Sequence, residues 1–179
     1  MTLLCTAPRC AIPRRHTEHC QDEACRGCLR ALAAPGLQLC DLHTTRIATD
    51  ALRCAELDLE LEQVLATPDR PGEHTTGTSE HGTNLNPRAV ELRTEIRHVL
   101  VAYTRMIAEE RGIRLPPDHL DTIGAYIATH HVWLAAHPDA GECSDELSNL
   151  QRRAWNTAYP TGARVFPVGP CPTCGTVVK

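Results

Sequence analysis

The first 43 residues concentrate side chains that bind metal ions, and this cluster constrains the fold more than any other feature of the chain. In chain order they are Cys5, Cys10, His16, His19, Cys20, Cys25, Cys28, Cys40 and His43. With one of the two early histidines counted, the cluster offers eight ligands, enough for two tetrahedral zinc ions bound by thiolate and imidazole groups. A segment this short and this polar cannot bury enough apolar surface to fold alone, so we expect metal binding to supply the missing stability.

The spacing leaves two ligand pairings open. In a treble-clef arrangement, one zinc ion is bound by Cys25, Cys28, Cys40 and His43, and the other by Cys5, Cys10, Cys20 and either His16 or His19. In a cross-brace arrangement, one ion is bound by Cys5, Cys10, Cys25 and Cys28, and the other by an early histidine, Cys20, Cys40 and His43. An iron–sulfur cluster fits less well, because such clusters favour four cysteines. A catalytic zinc ion needs an open position for water, whereas these ligands are numerous enough to close both sites.

The ten cysteines could in principle form disulfides, but the rest of the sequence favours reduced thiols. The N-terminus lacks the apolar run of a secretory signal peptide. No stretch approaches the roughly 18 apolar residues of a membrane-spanning helix. We therefore expect a cytoplasmic protein without membrane association, in which clustered cysteines bind metal. Outside the cluster, Cys54 is expected to be a buried apolar side chain and Cys143 a free thiol.

The sequence predicts a mainly α-helical protein with small zinc-stabilised β elements: an N-terminal binuclear zinc finger, a helical bundle and a terminal zinc knuckle. We expect a zinc-binding head and long helix over 1–66, a flexible linker over 67–87, a three-helix domain over 88–160, and a strand with half a zinc ribbon over 161–179. The long helix, over 44–66, is apolar on one side and acidic on the other. Its apolar face should pack against a partner within the chain or against a second copy.

Helix signals are clear in the region after the linker. Asn86, Pro87 and Gly112 are typical of a helix start and a helix stop around one long apolar stripe. A second helix is predicted to carry Leu120, Ile123, Ile127 and Leu134. A third is predicted to begin at Cys143 or Ser144 and to carry Leu147, Leu150, Ala154 and Ala158. The loop between the last two is longer than the three- to four-residue turn of a DNA-binding helix-turn-helix, so a packing or dimerisation unit is the better interpretation. His130, His131 and His137 are expected to be surface or hydrogen-bonded histidines.

The chain ends on another possible ligand pair. Cys171 and Cys174 form a C-P-x-C-G knuckle, which presents two thiolates to one zinc ion, and neither Cys nor His follows before Lys179. We expect the remaining two ligands of this third zinc site to lie beyond Lys179 or to come from a second chain across a dimer.

Several stretches of the sequence resemble a group of actinobacterial and actinophage zinc-finger proteins. They are MTLLCTAPRC, TEHC, CRGCLRAL, GLQLCDLH, RLPPD, AYIATHHVWLAAHP, SDELSNLQRRAWNTAYPTGAR and GPCPTCG. The resemblance covers nearly all of the chain except the linker. It implies that the terminal knuckle opens a zinc ribbon and that a DNA-binding helix-turn-helix follows. This chain departs from that pattern by stopping at Lys179, so a truncated or naturally short member is expected.

Two functions are consistent with these patterns, and neither is enzymatic. The first is a zinc-binding protein in nucleic-acid transactions, either a transcriptional regulator or an accessory DNA-binding protein. Its candidate phosphate contacts are Arg9, Arg14, Arg15, Arg26 and Arg30, which are interspersed among the metal ligands. The alternative is a zinc-stabilised adaptor that binds a protein partner, or a second copy, through helix 44–66 or the helical domain. The net charge of -4 favours the adaptor. A nuclease in which Asp41 and His43 flank the metal is disfavoured, because His43 is better used as a ligand.

Overall fold

The computed structural model describes residues 3–8, 10–65 and 85–160, and these parts of the chain are mainly helical. The helices are α1 (Asp41–Val64), α2 (Pro87–Arg111), α3 (Leu120–Thr129), α4 (His131–Ala136) and α5 (Ala140–Ala158). The predicted mainly α class is confirmed for the described residues. The predicted strand after residue 160 and the terminal knuckle lie outside them.

Helix α1 is the central element of the bundle. It packs against α5 and α3 most extensively and also against α2 and α4. Its fully buried side chains include Ile47, Leu57 and Leu61. The prediction that the apolar face needs a partner is therefore met within the same chain. Leu52 and Leu59 of the same helix are exposed, because they lie on the side of α1 that the other helices leave open.

Glycine sets the spacing between α1 and α3. A Cβ atom added to Gly124 of α3 would lie 3.1 Å from the carbonyl oxygen of Ala51 and 3.2 Å from the Cβ atom of Ala55. Both distances are shorter than ordinary van der Waals contacts, so the two helices approach each other as closely as a residue without a side chain allows.

The predicted start and end of α2 are confirmed. The Asn86 side chain accepts a hydrogen bond from the backbone N–H of Ala89, and Pro87 follows at the first helical position. At the other end Gly112 adopts the left-handed conformation with φ 62°. The next predicted helix is divided in two, since His130 ends α3 and precedes α4. The last helix begins at Ala140, a turn earlier than predicted, and buries Cys143 and Ser144.

Ion pairs and hydrogen bonds connect the helices across the bundle. Arg93 of α2 binds Asp58 of α1 through two bonds of 3.0 and 3.1 Å. Arg153 of α5 binds Glu95 of α2 in the same bidentate manner, at 2.6 and 2.7 Å. The Tyr103 hydroxyl donates to the Glu146 carboxylate at 2.6 Å, which ties α2 to α5 a second time. These pairs fix the orientation of the helices around the apolar core.

The N-terminal segment has little regular secondary structure and packs against helices α4 and α5. Two isolated antiparallel bridges, Leu4 with Leu32 and Ala11 with Arg30, are its β structure in the described residues. The Gln38 backbone N–H donates to the carbonyl oxygen of Ala135 in α4. A Cβ atom added to Gly141 in α5 would lie 2.7 Å from the carbonyl oxygen of Thr6. The N-terminal loop therefore packs directly against the backbone of the first turn of α5.

Buried residues from the N-terminal segment, α1 and the later helices form one hydrophobic cluster. The division of the chain into domains separated by a linker over 67–87 stays a prediction. The described residues on either side of that segment share one hydrophobic core. None of the described helices combines the length and apolar character that crossing a membrane requires.

Candidate metal centres

Four predicted ligands, Cys5, Cys10, Cys40 and His43, converge on one point, which we call site A. Their sulfur and nitrogen atoms all lie within 4.8 Å of one another. The sulfurs of Cys10 and Cys40 are 3.8 Å apart, and Nδ1 of His43 is 3.2 Å from the Cys40 sulfur and 3.9 Å from the Cys5 sulfur. A tetrahedral ion about 2.3 Å from each sulfur would separate two sulfurs by about 3.8 Å. Site A therefore fits a zinc ion.

The start of helix α1 supplies half of site A. Cys40 is the N-cap residue of α1, and His43 lies three positions later, so both side chains project from the first turn toward the same side. The Cys40 backbone N–H donates to the Cys5 sulfur at 3.3 Å. Three thiolates and one Zn²⁺ sum to one negative charge, and the N-terminus of a helix favours negative charge.

A second group of four, His16, Cys20, Cys25 and Cys28, forms site B, and its ligand atoms also lie within 4.8 Å of one another. Nδ1 of His16 is 3.4 Å from the Cys20 sulfur and 4.0 Å from the Cys28 sulfur. The backbone N–H of Thr17 donates to the Cys28 sulfur at 3.3 Å. These distances and the set of three sulfurs and one nitrogen also fit tetrahedral zinc.

Backbone pairing closes the loop that carries site B. Ile12 donates to the carbonyl oxygen of Leu29, and Arg14 donates to that of Arg26, both at 2.8 Å. We call residues 11–30 the site B lobe. Gly27, at φ 137°, allows this pairing, because a Cβ atom there would lie 2.4 Å from the carbonyl oxygen of Ile12.

The thiols in each group differ in acidity without a metal ion. Hydrogen bonding from the Thr17 backbone lowers the pKa of Cys28 to about 6, while the hydrogen bond shared with Cys28 raises the pKa of Cys20 to about 11. Burial raises the pKa of Cys10 to about 12. Several converging thiols cannot all ionise beside one another, and a divalent cation removes that obstacle. Burial lowers the pKa of His43, which keeps its imidazole neutral and able to bind a metal ion.

The two sites differ in their surroundings. Cys5, Cys10 and Cys40 are at most 9% exposed and belong to the hydrophobic cluster of the bundle. In site B, His16 is exposed and the three cysteines are half-buried. Site A is thus built into the core, and site B is held in a peripheral lobe.

Neither predicted pairing matches this grouping. Both pairings placed Cys5 and Cys40 in different sites, and both separated Cys20 from Cys25, whereas the structure groups each of these pairs together. The prediction that Cys40 and His43 share a site at the start of a helix is confirmed, but their partners are Cys5 and Cys10 instead of Cys25 and Cys28. The site B residues lie within the loop that connects Cys10 to Cys40 of site A, so site B is nested within site A along the chain.

Of the two early histidines, His16 joins site B, while His19 is exposed and lies outside both groups of the described residues. The predicted ligands Cys171 and Cys174 lie outside the part of the chain that the structure describes. Cys54 and Cys143 are buried thiols, and burial raises the pKa of each to about 12. Cys54 therefore matches the prediction of a buried apolar cysteine, while the prediction that Cys143 is not a ligand of the terminal knuckle stays a prediction.

The predicted phosphate-binding arginines separate into three cases. Arg14, Arg15 and Arg26 are exposed on the site B lobe, and the Arg14–Arg26 backbone bond brings them to one end of it. Arg30 instead donates to the carbonyl oxygens of Cys5 and Ala7 at 2.6 and 3.2 Å, so it positions the loop of site A. Arg9 lies outside the described residues. Sequence reasoning missed the structural role of Arg30, because the contact depends on pairing between distant segments.

The predicted histidines of the bundle make hydrogen bonds. His131 contacts the carbonyl oxygen of Ala128 at 2.7 Å, and His137 contacts the Glu110 carboxylate at 3.2 Å. His130 pairs with Arg111 and contacts the ring of Tyr126 edge-on. These hydrogen bonds confirm the prediction that His130, His131 and His137 are surface or hydrogen-bonded histidines.

Comparison with known proteins adds no relative from which a function could be transferred. No family model, no curated protein and no solved structure matches the chain. The two clusters of potential metal ligands are therefore the features of the chain that bear most directly on its function.

Proposed function

We propose that this protein binds two structural zinc ions and uses the site B lobe to contact the phosphate backbone of nucleic acid. The observation that carries the proposal is the position of Arg14, Arg15 and Arg26. Among the described residues none of these three exposed side chains forms an ion pair, so all three charges are available to phosphate oxygens. Each site has four protein ligands, which leaves no open position for a substrate and supports a structural role for zinc.

Negative charge in the site B lobe itself, at Glu18, Asp22 and Glu23, and in the rest of the chain limits the expected strength of this contact. The chain carries a net charge of -4, and each zinc bound by three thiolates and one imidazole adds one further negative charge. Binding should therefore be local to the site B lobe, weak, and strongly dependent on salt. Transcriptional regulation and an accessory role in DNA transactions are both compatible with such a contact.

The test is an electrophoretic shift assay with the zinc-loaded full chain and random-sequence duplex and single-stranded DNA at low salt. We expect micromolar binding that weakens by about tenfold or more in the Arg14→Ala/Arg15→Ala/Arg26→Ala variant, with a salt slope reduced by about 2–3. The charge-matched control is Arg88→Ala/Arg114→Ala/Arg152→Ala, in which three other exposed arginines are removed. Equal loss in both variants, or no binding by the parent, would overturn the nucleic-acid proposal.

A protein adaptor is the second candidate, and the exposed side of α1 favours it. Leu42, Leu52 and Leu59 are 60%, 41% and 64% exposed on this one helix. Leu52 and Leu59 lie two turns apart on the same side of α1, and contiguous apolar surface of this kind marks protein contacts. If the adaptor function is correct, Leu52→Glu/Leu59→Glu should leave zinc content and thermal unfolding unchanged and should abolish self-association or partner binding in analytical ultracentrifugation. Unchanged association in that variant would contradict it.

A further inference from the structure

A groove between α2 and the start of α3 has the character of a small-molecule site. Its volume is about 650 Å³, within the range of about 300–1,000 Å³ that ligand pockets usually have. Val101 of α2, Leu115 and Pro116 of the following loop, and Ile123 of α3 give it an apolar lining. None of its lining residues belongs to either metal centre or to the site B lobe, so its function is separate from the one proposed above.

The fixed charges that line the groove are two arginines and one carboxylate. Arg97, His98 and Arg105 line it, and one acidic side chain, Asp118, lines it as well. Asp118 is paired with Arg97 at 3.1 Å. Among the described residues, Arg105 forms no ion pair, although the protein as a whole is acidic. A ligand with a negative group would find uncompensated positive charge at this place.

One buried polar group in the wall also lacks a partner. Thr104 is 3% exposed and lines the groove, and its hydroxyl makes no hydrogen bond with any described residue. Buried hydroxyls are usually hydrogen-bonded. A ligand oxygen that reached this hydroxyl would give it the partner it lacks.

From these three observations we infer that the groove binds an amphipathic carboxylate, that is, a small acid with an apolar chain. The chain would lie against Val101, Leu115 and Ile123, and the carboxylate would meet Arg105 and His98. Apolar walls with a few convergent polar groups are the usual design of such sites, since the walls supply affinity and the polar groups set orientation.

Isothermal titration of the zinc-loaded full chain with decanoate tests this inference. We expect one site per chain, binding about tenfold or more weaker in Arg105→Glu, and equal affinity within about twofold in Arg152→Glu, which makes the same charge change on α5 away from the groove. Decyltrimethylammonium, with the same chain and a positive head, should bind at least about tenfold more weakly than decanoate.

Two further variants test the location. Val101→Trp should fill the groove and abolish binding. Leu115→Glu places a carboxylate in the apolar wall from an exposed loop position, so it should abolish binding without affecting folding, as circular dichroism would show. The inference would be overturned by the absence of binding in the parent, by equal binding of the two head groups, or by full binding in folded Leu115→Glu.

Discussion

The sulfur atoms of Cys10 and Cys40 lie 3.8 Å apart although 30 residues separate them along the chain. The loop between them forms backbone hydrogen bonds within itself, such as the one from Ile12 to Leu29. It also carries the four candidate ligands of site B. The loop ends at Cys40, where helix α1 begins and site A is completed. The two groups of candidate ligands thus lie where the N-terminal segment meets the central helix of the bundle.

The difference in burial between the sites predicts two rates of zinc loss. Site A should release its ion only when part of the core opens, whereas the site B lobe can open alone. With a chromogenic chelator, and with Cys171→Ser/Cys174→Ser as background, we expect two phases of equal amplitude that differ in rate by about tenfold or more. The fast phase should vanish in Cys20→Ser/Cys25→Ser. A single phase, or loss of the slow phase in that variant, would contradict the assignment.

The Arg93–Asp58 pair should contribute far more to stability than the Arg97–Asp118 pair. Asp58 is 7% exposed, so Arg93→Ala leaves a buried carboxylate without its main partner, at a cost of about 3 kcal/mol in the free energy of unfolding. Arg97→Ala breaks a pair of exposed side chains and should cost less than about 1 kcal/mol. Urea unfolding of both zinc-loaded variants makes the comparison. Equal costs would show that Asp58 is not buried as described.

Gly124→Ala tests the close approach of α1 and α3, because the sign of its change in unfolding free energy depends on that packing. Helix propensity alone would stabilise α3 by about 1 kcal/mol. The contacts with Ala51 and Ala55 instead predict a loss of about 1–3 kcal/mol, because the helices must move apart. Ala125→Gly, at the neighbouring exposed position, calibrates the propensity difference in thermal unfolding. Stabilisation by Gly124→Ala would contradict the packing.

The backbone N–H of Asn86 donates to the carbonyl oxygen of Leu65 at 2.8 Å, so the ends of α1 and α2 meet directly. Replacing residues 66–84 with a short Gly-Ser turn should therefore preserve the fold and the zinc content. Since a shorter loop has a smaller closure entropy, the melting temperature should stay equal or rise by a few degrees. Loss of the cooperative transition would mean that the bundle depends on the removed segment.

The helices were largely predictable because their signals are local. Asn86, Pro87 and Gly112 mark the ends of α2 through backbone rules that need no tertiary information. The early start of α5 was not predictable in this way. Gly141 is a poor helix former, and its place in α5 is explained by the Thr6 carbonyl that lies against it.

Eight of the residues predicted as ligands in the N-terminal segment lie in the two groups, but their partners were not predictable. Thiolate and imidazole groups in this number indicate metal binding, and zinc in particular, without a structure. Which four share an ion depends on backbone pairing between residues 11–15 and 26–30, and the spacing of Cys and His carries no information about that pairing. The same pairing assigns Arg30 to the loop of site A and leaves Arg14 and Arg26 exposed.

The most direct test of the nested arrangement is the zinc content of Cys20→Ser/Cys25→Ser by native mass spectrometry, again with Cys171→Ser/Cys174→Ser as background. Because both substitutions fall in site B, we predict that one zinc ion remains, bound in site A as tightly as in the parent, while the parent holds two. Under either pairing predicted from spacing, the same two substitutions would damage both sites. Loss or weakening of both zinc ions in a folded variant would therefore contradict the account.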